Sequence, residues 1–429
     1  MTLKTIPVPP GIHTNTFVLG SGVLESLPEL ISLCFPGKLP WIVADDNTWK
    51  AAGDRAFKLF EAAGMKPLKP YIYPGTPRLH PVLGYSEELA KIMPEDCVPV
   101  AVGSGVINDL VKCASGIRNV NYCCVPTACS VDGYTATGGA MTVNGFKTTV
   151  QCPAPYALCA DTDVLATAPA PMFAAGFGDL VAKVPGGADW IVADTLGIEP
   201  IVPYLWNLLQ ARIRSWVDDS SDMGKVFDGL AAAGYAIQIY KDSRPASGCE
   251  HLISHVWEME GVQYEGEDVS HGFKVGMGTV ITTTLFEYVI NHSFNELRPK
   301  MKPGLDRAGR EAEIASLLVK GCYGDAAATT AMKKFREGDA LAERRKLIES
   351  KWPELQTRVK AQIIPSADVK RMLVEAGCPT KPSDIGMGME QYLHAIRTAQ
   401  LIRTRYTLLD LLYETGLLED AIQYLVARI

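Results

Sequence analysis

Short apolar runs alternate with helical patterns between residues 39 and 128, and this alternation constrains the fold more than any other feature of the chain. The runs LPWIVADD, KPYIYPG, CVPVAVGSG and NYCCVPTA indicate buried strands, and helical patterns separate them. Neighbouring strands that are joined through helices run parallel, because a parallel pair needs a long crossover connection. The sequence therefore predicts an α/β fold with a doubly wound parallel sheet.

After residue 165 the pattern changes to long helices. Prolines and small residues in TDVLATAPAPMFAAG interrupt the preceding pattern, which indicates a domain boundary. We expect an α/β domain over residues 1–165 and a helical domain over residues 166–429. Helices are predicted in the second domain at 204–218, 223–242, 274–292, 310–321, 340–359, 387–402 and 404–426.

Charge and cysteine usage exclude several functional classes. The net charge of −7 offers no basic surface for nucleic acid. We find no signal peptide and no run of about 18 apolar residues, so membrane insertion is not expected. The 11 cysteines are scattered, without CxxC pairs, which is typical of reduced thiols in a cytoplasmic protein.

A glycine-rich turn links a predicted strand to a helix in VAVGSGVINDLVK. Gly103, Ser104 and Gly105 would let the backbone approach a pyrophosphate at the start of the helix. The third glycine of the G-x-G-x-x-G pattern is replaced by Asn108, so an ordinary strand–helix turn remains an alternative. Asp45 and Asp46, at the end of an earlier strand, are either ribose ligands or residues of a solvated strand end or helix cap.

Three of the seven histidines lie within residues 247–273: His251, His255 and His271. The first two are four residues apart and share one face of a helix. Two histidines and one carboxylate make a three-ligand metal site with an open position. Asp179, in FAAGFGDLVAK, is the candidate carboxylate, although it could equally cap a helix. Asp132, in PTACSVDGYTATGGA, lies either in a polar cleft or in a plain turn.

Five segments together resemble the sn-glycerol-1-phosphate dehydrogenases: GSGVINDLVK, PTACSVDGY, FAAGFGDLVAK, GCEHLISH and SHGFKVGMGT. These enzymes belong to the metal-dependent superfamily of glycerol dehydrogenase, iron-type alcohol dehydrogenases and dehydroquinate synthase. The resemblance runs from about residue 40 to residue 290, and RTRYTLLDLLYETG extends it. It implies a Rossmann-like nucleotide-binding domain over 1–165 and an all-helical metal- and substrate-binding domain over 166–429.

The resemblance also implies roles for individual residues. Asp179, His251 and His271 would hold the metal, and Asp132, Asp179 and His255 would contact the substrate as catalytic residues. The cofactor would be bound by Asp45, Gly103, Ser104, Gly105, Val106, Ile107, Asn108, Asp109, Thr127, Ala128, Cys129 and Ser130.

The implied reaction is the NAD(P)-dependent reduction of dihydroxyacetone phosphate to sn-glycerol 1-phosphate, with one zinc, nickel or iron ion polarising the C2 oxygen. Such an enzyme would serve phospholipid metabolism, and its expected partners are a small phosphorylated substrate and a second copy of the chain in a homodimer. The alternatives are a dehydrogenase of glycerol or another small polyol, a dehydroquinate synthase-like cyclase, and a catalytically silent nucleotide-binding protein. Asp45 favours NAD over NADP, because a carboxylate repels a 2′-phosphate.

Two positions depart from the family pattern. Ala136 stands where a serine often contacts the cofactor, and Phe273 stands where a glutamate often follows the last metal histidine. We therefore expect the metal histidine to lack a carboxylate partner. Lys112, Lys147 and Lys183 are candidates for holding the substrate phosphate, and the sequence does not choose among them.

Overall fold

The computed structural model describes residue 3 and residues 5–143, 146–318, 322–323 and 326–429, without the side chains of residues 146, 147 and 326. The chain forms two compact units. The first contains Met1–Leu180 and Arg214–Asp242, and the second contains Val181–Ile213 and Ser243–Ile429.

All strands of the main sheet belong to the first unit. The strands of both units are numbered together along the chain. They are β1 Thr5–Ile6, β2 Thr16–Gly20, β3 Leu39–Asp45, β4 Tyr71–Tyr73, β5 Cys97–Gly103, β6 Cys123–Pro126, β7 Gly139–Val143, β8 Phe146–Val150, β9 Ala157–Asp161, β10 Gln263–Tyr264 and β11 Glu267–Asp268. The sheet has the order β1-β2-β9-β6-β5-β3-β4, while β7 pairs with β8 and β10 pairs with β11. Every pairing in the main sheet is parallel except that of β1 with β2.

The α-helices are numbered along the chain. They are α1 Leu27–Cys34, α2 Asp46–Thr48, α3 Asp54–Ala62, α4 Leu83–Ile92, α5 Gly105–Arg118, α6 Thr162–Leu165, α7 Ala170–Val181, α8 Lys183–Thr195, α9 Pro203–Leu208, α10 Ile213–Val217, α11 Met223–Tyr240, α12 Cys249–Met259, α13 His271–Ile290, α14 Phe294–Leu297, α15 Arg307–Leu317, α16 Ala326–Lys333, α17 Gly338–Gln362, α18 Ser366–Glu375, α19 Met389–Ala399, α20 Leu408–Glu414 and α21 Leu418–Val426. Short 3-10 helices cover Val23–Ser26, Asp132–Tyr134, Arg244–Ala246, Arg298–Lys300 and Pro382–Ile385, and a π-helical turn covers Trp49–Gly53.

The sheet of the first unit is covered on both faces. All residues of β5 and β6 are buried, as expected for central strands of a parallel sheet. Val100, Val102 and Val125 pack with Leu27 and Phe60 from helices α1 and α3. The apolar runs of the sequence thus form the core of the first unit.

The second unit is built from helices around a core of its own. Helix α13 is central to it, with buried side chains along nearly its whole length. Trp257, Phe286, Trp352 and Leu409, from four different helices, belong to one cluster of buried residues. Helix α12 contributes one apolar face to this cluster, which leaves its other face for polar side chains.

The predicted fold class is confirmed, but the observed unit boundary and two of the helices differ from the predicted ones. The division between the units falls after Leu180 rather than after residue 165, and residues 214–242 return to the first unit. The helix predicted over 404–426 is two helices, because the chain turns at Gly416, where φ is +69° and a Cβ atom would lie 2.3 Å from the carbonyl oxygen of Lys302. The segment predicted as 204–218 likewise contains two short helices, α9 and α10.

The cysteines are reduced, as the sequence predicts. All 11 cysteines are free thiols, and Cys123 and Cys124 lie in the buried strand β6. Among the described residues, the helices are too short or too polar to cross a membrane.

Candidate metal centre

Three histidines of the second unit lie side by side. His251 and His255 are one turn apart on helix α12, and their ring centroids are 6.2 Å apart. His271 is the first residue of helix α13. Its ring centroid lies 5.6 Å from that of His251 and 6.2 Å from that of His255. Their spacing alone predicted the proximity of His251 and His255, and the family resemblance predicted that His271 joins His251.

Glycine allows the two histidine-bearing helices to approach closely. A Cβ atom at Gly278 of α13 would lie only 2.4 Å from the carbonyl oxygen of Glu250 on α12. Any larger residue at this position would push the helices apart, since real side chains do not tolerate such a contact. Gly278 therefore fixes the distance between the helix that carries His251 and the helix that carries His271.

Each of the two predicted metal histidines is oriented by a glutamate. Nδ1 of His251 lies 2.8 Å from Oε1 of Glu250, and Nδ1 of His271 lies 2.8 Å from Oε1 of Glu258. An ionised carboxylate can only accept a hydrogen bond, so Nδ1 of each ring carries the proton. Nε2 of each ring is then the unprotonated nitrogen, which is the form that binds a metal ion.

Asp179 lies near the end of helix α7 and is fully buried. Its Oδ2 accepts a hydrogen bond of 2.9 Å from the backbone N–H of Asp132. Helix α7 begins at Ala170, so Asp179 does not cap the start of its own helix. Gly176 allows α7 to lie on the loop after β6, because a Cβ atom there would be 2.1 Å from the carbonyl oxygen of Cys129.

Asp179, His251 and His271 form a group that fits a metal ion. One ligand atom from each residue lies within 4.8 Å of the other two. One carboxylate and two imidazoles with unprotonated Nε2 atoms are donors that zinc, nickel and iron(II) accept. Because the two histidines are held in the metal-binding tautomer by glutamates, the residues fit a divalent cation.

Comparison with known proteins agrees with the fold. The family model for iron-containing alcohol dehydrogenases matches residues 18–169. A crystal structure of glycerol dehydrogenase from Schizosaccharomyces pombe superposes with a TM-score of 0.58 at 14% identity, covering 95% of this chain and 89% of that one. At this identity the likeness supports the fold alone.

Relatives found by sequence comparison identify the family more narrowly than the structural likeness does. A protein from Geobacillus stearothermophilus named glycerol-1-phosphate dehydrogenase (NAD(P)+) is 30% identical over 387 residues, which are 87% of this chain and 86% of that protein. A protein of the same name from Bacillus velezensis is 33% identical over 313 residues, covering 69% of this chain and 78% of that protein. The chain belongs to the glycerol-1-phosphate dehydrogenase family.

The glycine-rich turn of this family member is shaped for close approach. A Cβ atom at Gly103 would lie 2.5 Å from Cβ of Ile107, so only glycine fits between β5 and α5. Ser104 precedes the helix without capping it by a side-chain hydrogen bond, and Gly105 and Val106 form its first turn. The N–H groups at this helix start are the donors that a pyrophosphate would use.

The next three predicted cofactor residues have side chains directed into the first unit. Ile107 is fully buried, and Asn108 accepts a hydrogen bond of 3.0 Å from the hydroxyl of Tyr122. Asp109 accepts a hydrogen bond from the N–H of Ala140 and lies 3.3 Å from Nζ of Lys112. These side chains stabilise the turn, and their contact with a cofactor stays a prediction.

The remaining predicted cofactor residues fall into two places. The N–H of Thr127 donates to the carbonyl of Gly103 at 3.0 Å, so the segment 127–130 follows directly beside the glycine-rich turn. Within that segment Ala128 and Cys129 are buried, and Ser130 is nearly so. Asp45 caps helix α2, where its carboxylate accepts two backbone hydrogen bonds of 2.8 Å. The helix-cap alternative is therefore observed for Asp45, and its role as a ribose ligand stays a prediction.

His255 has an unusual environment among the candidate catalytic residues. Burial lowers the pKa of His255 to about 3, with Glu258 opposing the shift and the charges of His271, His251 and Arg403 adding to it. Its ring is therefore neutral at physiological pH. Nδ1 of His255 is buried and has no hydrogen-bond partner among the described residues. A buried polar atom without a partner is costly, so this nitrogen is suited to a bound ligand.

The sequence did not identify Glu250 and Glu258. The expectation that a metal histidine lacks a carboxylate partner is wrong, because Glu258 reaches His271 from another helix. The signal was present: residues 251, 255 and 258 follow the spacing of one helix face.

Among the lysines that the sequence offered for phosphate binding, Lys112 is excluded. Its ammonium group is fully buried and donates to the carbonyl oxygens of Gly133 and Gly138 at 2.8 and 3.1 Å. Lys183 is fully buried and engaged with other groups. The side chain of Lys147 lies outside the described residues.

Proposed function

We propose that this protein reduces dihydroxyacetone phosphate to sn-glycerol 1-phosphate with a reduced nicotinamide cofactor, and that it does so with a divalent metal ion. The observation that carries the proposal is the meeting of Asp179, His251 and His271 within 4.8 Å. Relatives named glycerol-1-phosphate dehydrogenase (NAD(P)+) support the choice of substrate and cofactor. A structural role for these three residues alone would not require two oriented imidazoles beside a buried carboxylate.

Asp179 and the Nε2 atoms of His251 and His271 would hold the metal. When bound there, a divalent cation supplies Lewis acidity, which stabilises negative charge on a substrate oxygen. Glu250 and Glu258 keep the two imidazoles in the metal-binding tautomer before any ligand arrives. Since the donors are oriented in advance, little reorganisation is needed on binding.

His255 would contact the substrate rather than the metal. Its neutral ring presents a buried Nδ1 without a partner, beside the two metal histidines. A neutral imidazole can donate a hydrogen bond to a substrate oxygen or accept one from a hydroxyl group. Asp132, whose backbone N–H holds Asp179 in place, would contact the substrate on the side of the metal carboxylate.

The cofactor would bind with its pyrophosphate at the turn formed by Gly103 to Val106. Unpaired N–H groups at the start of α5 and the positive end of the helix dipole favour a negatively charged group. The adjacent segment 127–130 would contact the nicotinamide half, and Asp45 would contact the adenosine half. NAD is favoured over NADP on the charge of Asp45. A cytoplasmic location and a homodimer stay predictions.

A substrate panel tests the proposal. NADH and NADPH consumption should be measured with dihydroxyacetone phosphate, dihydroxyacetone and a simple aldehyde, before and after treatment with a chelator. We expect turnover with dihydroxyacetone phosphate to exceed turnover with dihydroxyacetone, to stop after metal removal and to return when zinc, nickel or iron(II) is added.

The same assay separates the rival functions. A preference for dihydroxyacetone, with no effect of the phosphate group, would indicate a polyol dehydrogenase instead. Release of inorganic phosphate from a sugar phosphate without net cofactor consumption would indicate a cyclase. Cofactor binding without turnover on any substrate would indicate a silent binding protein.

A further inference from the structure

We infer that Glu258 is a positioning residue, which holds His271 in the tautomer and orientation that metal binding requires. The inference rests on the metal site of the proposed function. It concerns a residue that does not touch the metal or the substrate, and it gives a role to a carboxylate that the sequence motifs do not contain.

The geometry connects two helices through one carboxylate oxygen. Oε1 of Glu258, in the last turn of α12, lies 2.8 Å from Nδ1 of His271, the first residue of α13. Nζ of Lys274 lies 3.5 Å from the same oxygen. The Glu258 side chain is largely buried, and that of Lys274 is almost completely buried. A charge-assisted hydrogen bond in such a place is strong, because water competes for it only weakly.

His271 depends on this contact more than His251 depends on its own. The side chain of His271 is 32% exposed, whereas that of His251 is 7% exposed and is enclosed by its surroundings. His271 also stands at the very start of its helix, and the preceding Ser270 makes no capping hydrogen bond with its side chain. Because a larger part of its side chain is exposed, the surroundings fix the ring of His271 less firmly than that of His251, and the contact with Glu258 adds to its orientation.

The consequence for metal binding is specific. The acceptor at Nδ1 keeps the proton on that nitrogen, so that Nε2 offers its lone pair to the metal. Without the carboxylate, the ring would divide its time between rotamers and between tautomers, only a fraction of which can bind. The stability of the fold depends on other features: α12 and α13 already pack through Gly278 and the core cluster around Trp257 and Phe286.

The test compares Glu258→Gln, Glu258→Asp and the control Glu265→Gln. Glu265 lies in the exposed turn between β10 and β11, so this control removes the same charge from the surface. Metal dissociation constants should be measured in the absence of cofactor and substrate, by competition between the protein and a chromogenic chelator for cobalt(II) or zinc. The melting temperature of the metal-free protein reports separately on the fold.

We expect Glu258→Gln to weaken metal binding by about 10- to 100-fold. The melting temperature of the metal-free protein should fall as well, because the buried ammonium group of Lys274 loses an ionised partner, while the packing of α12 on α13 keeps the variant folded. Glu258→Asp should recover part of the affinity, and Glu265→Gln should bind as the unchanged protein does. Equal affinity of Glu258→Gln and the unchanged protein would overturn the inference. A loss of affinity that is matched by a loss of melting temperature, and that Glu258→Asp does not relieve, would overturn it as well.

Failure of the proposed function would look different. If the unchanged protein binds metal with an affinity that depends on Glu258 but does not reduce dihydroxyacetone phosphate, the substrate assignment is wrong and the role of Glu258 stands. If the unchanged protein binds no divalent metal, then His271 is not a ligand and the inference about Glu258 is wrong.

Discussion

Gly278 lies directly against Glu250: a Cβ atom on this glycine would be 2.4 Å from the carbonyl oxygen of the glutamate. The contact joins helix α13, which carries His271, to helix α12, which carries His251. On α12 it falls at Glu250, the residue directly before the predicted metal ligand His251. The separation of the two imidazoles is therefore set by backbone packing, at a position remote in sequence from His271.

Gly278→Ala should accordingly damage both stability and metal binding. The added methyl group must displace backbone, and such overpacking costs about 1–3 kcal/mol of unfolding free energy. The shift between α12 and α13 should also raise the metal dissociation constant, because the two Nε2 atoms would no longer be correctly spaced. Urea unfolding of the metal-free protein and chelator competition measure the two effects.

Gly84→Ala is the matched control for this substitution. Gly84 lies in helix α4, and no heavy atom would lie within 4 Å of an added Cβ there. Alanine is the better helix former, so this variant should be as stable as the unchanged protein or slightly more so. If Gly278→Ala behaved like Gly84→Ala in both measurements, the close packing of the helices would have no bearing on the site.

A pH-dependent loss of stability is expected from Asp189. This residue is fully buried beside Glu250, and burial together with the charge of Glu250 raises the pKa of Asp189 to about 7. A carboxyl group whose pKa is higher in the folded state binds its proton more tightly there. The resulting stability is complete below pH about 4, where the group is protonated in both states, and is lost as the pH rises through about 7.

The unfolding free energy of the metal-free protein should therefore fall between pH 4 and pH 7, with a contribution of at most about 1.4 kcal/mol per pH unit from this group. In the variant Asp189→Asn this pH dependence should disappear. The variant should also be less stable at every pH, because the N–H groups of Cys249 and Leu408 lose a carboxylate acceptor. Asp218→Asn, at an exposed side chain, should leave the slope unchanged. An equal slope in all three proteins would show that Asp189 is ionised throughout this range.

His255→Ala should separate substrate contact from metal binding. The ring of His255 lies 6.2 Å from that of His251 and of His271, and its Nδ1 has no partner among the described residues. Loss of this neutral imidazole should reduce kcat/KM for dihydroxyacetone phosphate by about 10²-fold or more, as for other residues that assist proton transfer. The metal content after dialysis should stay equal to that of the unchanged protein.

His80→Ala provides the comparison, since His80 is exposed and belongs to the first unit. It should change neither kinetic constants nor metal content. If His255→Ala lost its metal along with its activity, then His255 would be a fourth metal ligand rather than a substrate contact.

Much of the fold follows from patterns that are local in sequence. Strands β3, β5 and β6 were predicted because each is a short apolar run between turn residues, and the parallel order followed from the intervening helices. The hairpin of β7 and β8 was not predicted, since GAMTV and its partner strand mix small, polar and apolar residues without a clear alternation. The break at Gly416 was missed because it depends on the close approach of Lys302, more than 100 residues earlier.

The sequence predicted those parts of the candidate site in which the residues that meet are close together in the chain. The spacing of His251 and His255 sufficed to place them on one face of a helix. Asp179 was a candidate carboxylate from its own segment, but only the family resemblance assigned it to these histidines, because nothing near it in sequence indicates which histidines it meets. Glu258 was missed altogether, since a contact between the end of one helix and the start of the next depends on how the two helices pack. That packing is set by Gly278.

Lys112 provides a last test, because the sequence offered it as a phosphate ligand and the structure gives it another role. Its ammonium group is fully buried, donates to two carbonyl oxygens and lies 3.3 Å from Asp109. Lys112→Met would leave Asp109 without its cation, and breaking a buried pair in this way costs on the order of 3–5 kcal/mol. We expect a large loss of unfolding free energy in urea, with KM for dihydroxyacetone phosphate unchanged at temperatures where the variant is folded. Lys58→Met removes an exposed ion pair with Asp54 and should cost less than about 1 kcal/mol. A rise in KM with little loss of stability would instead return Lys112 to the substrate site.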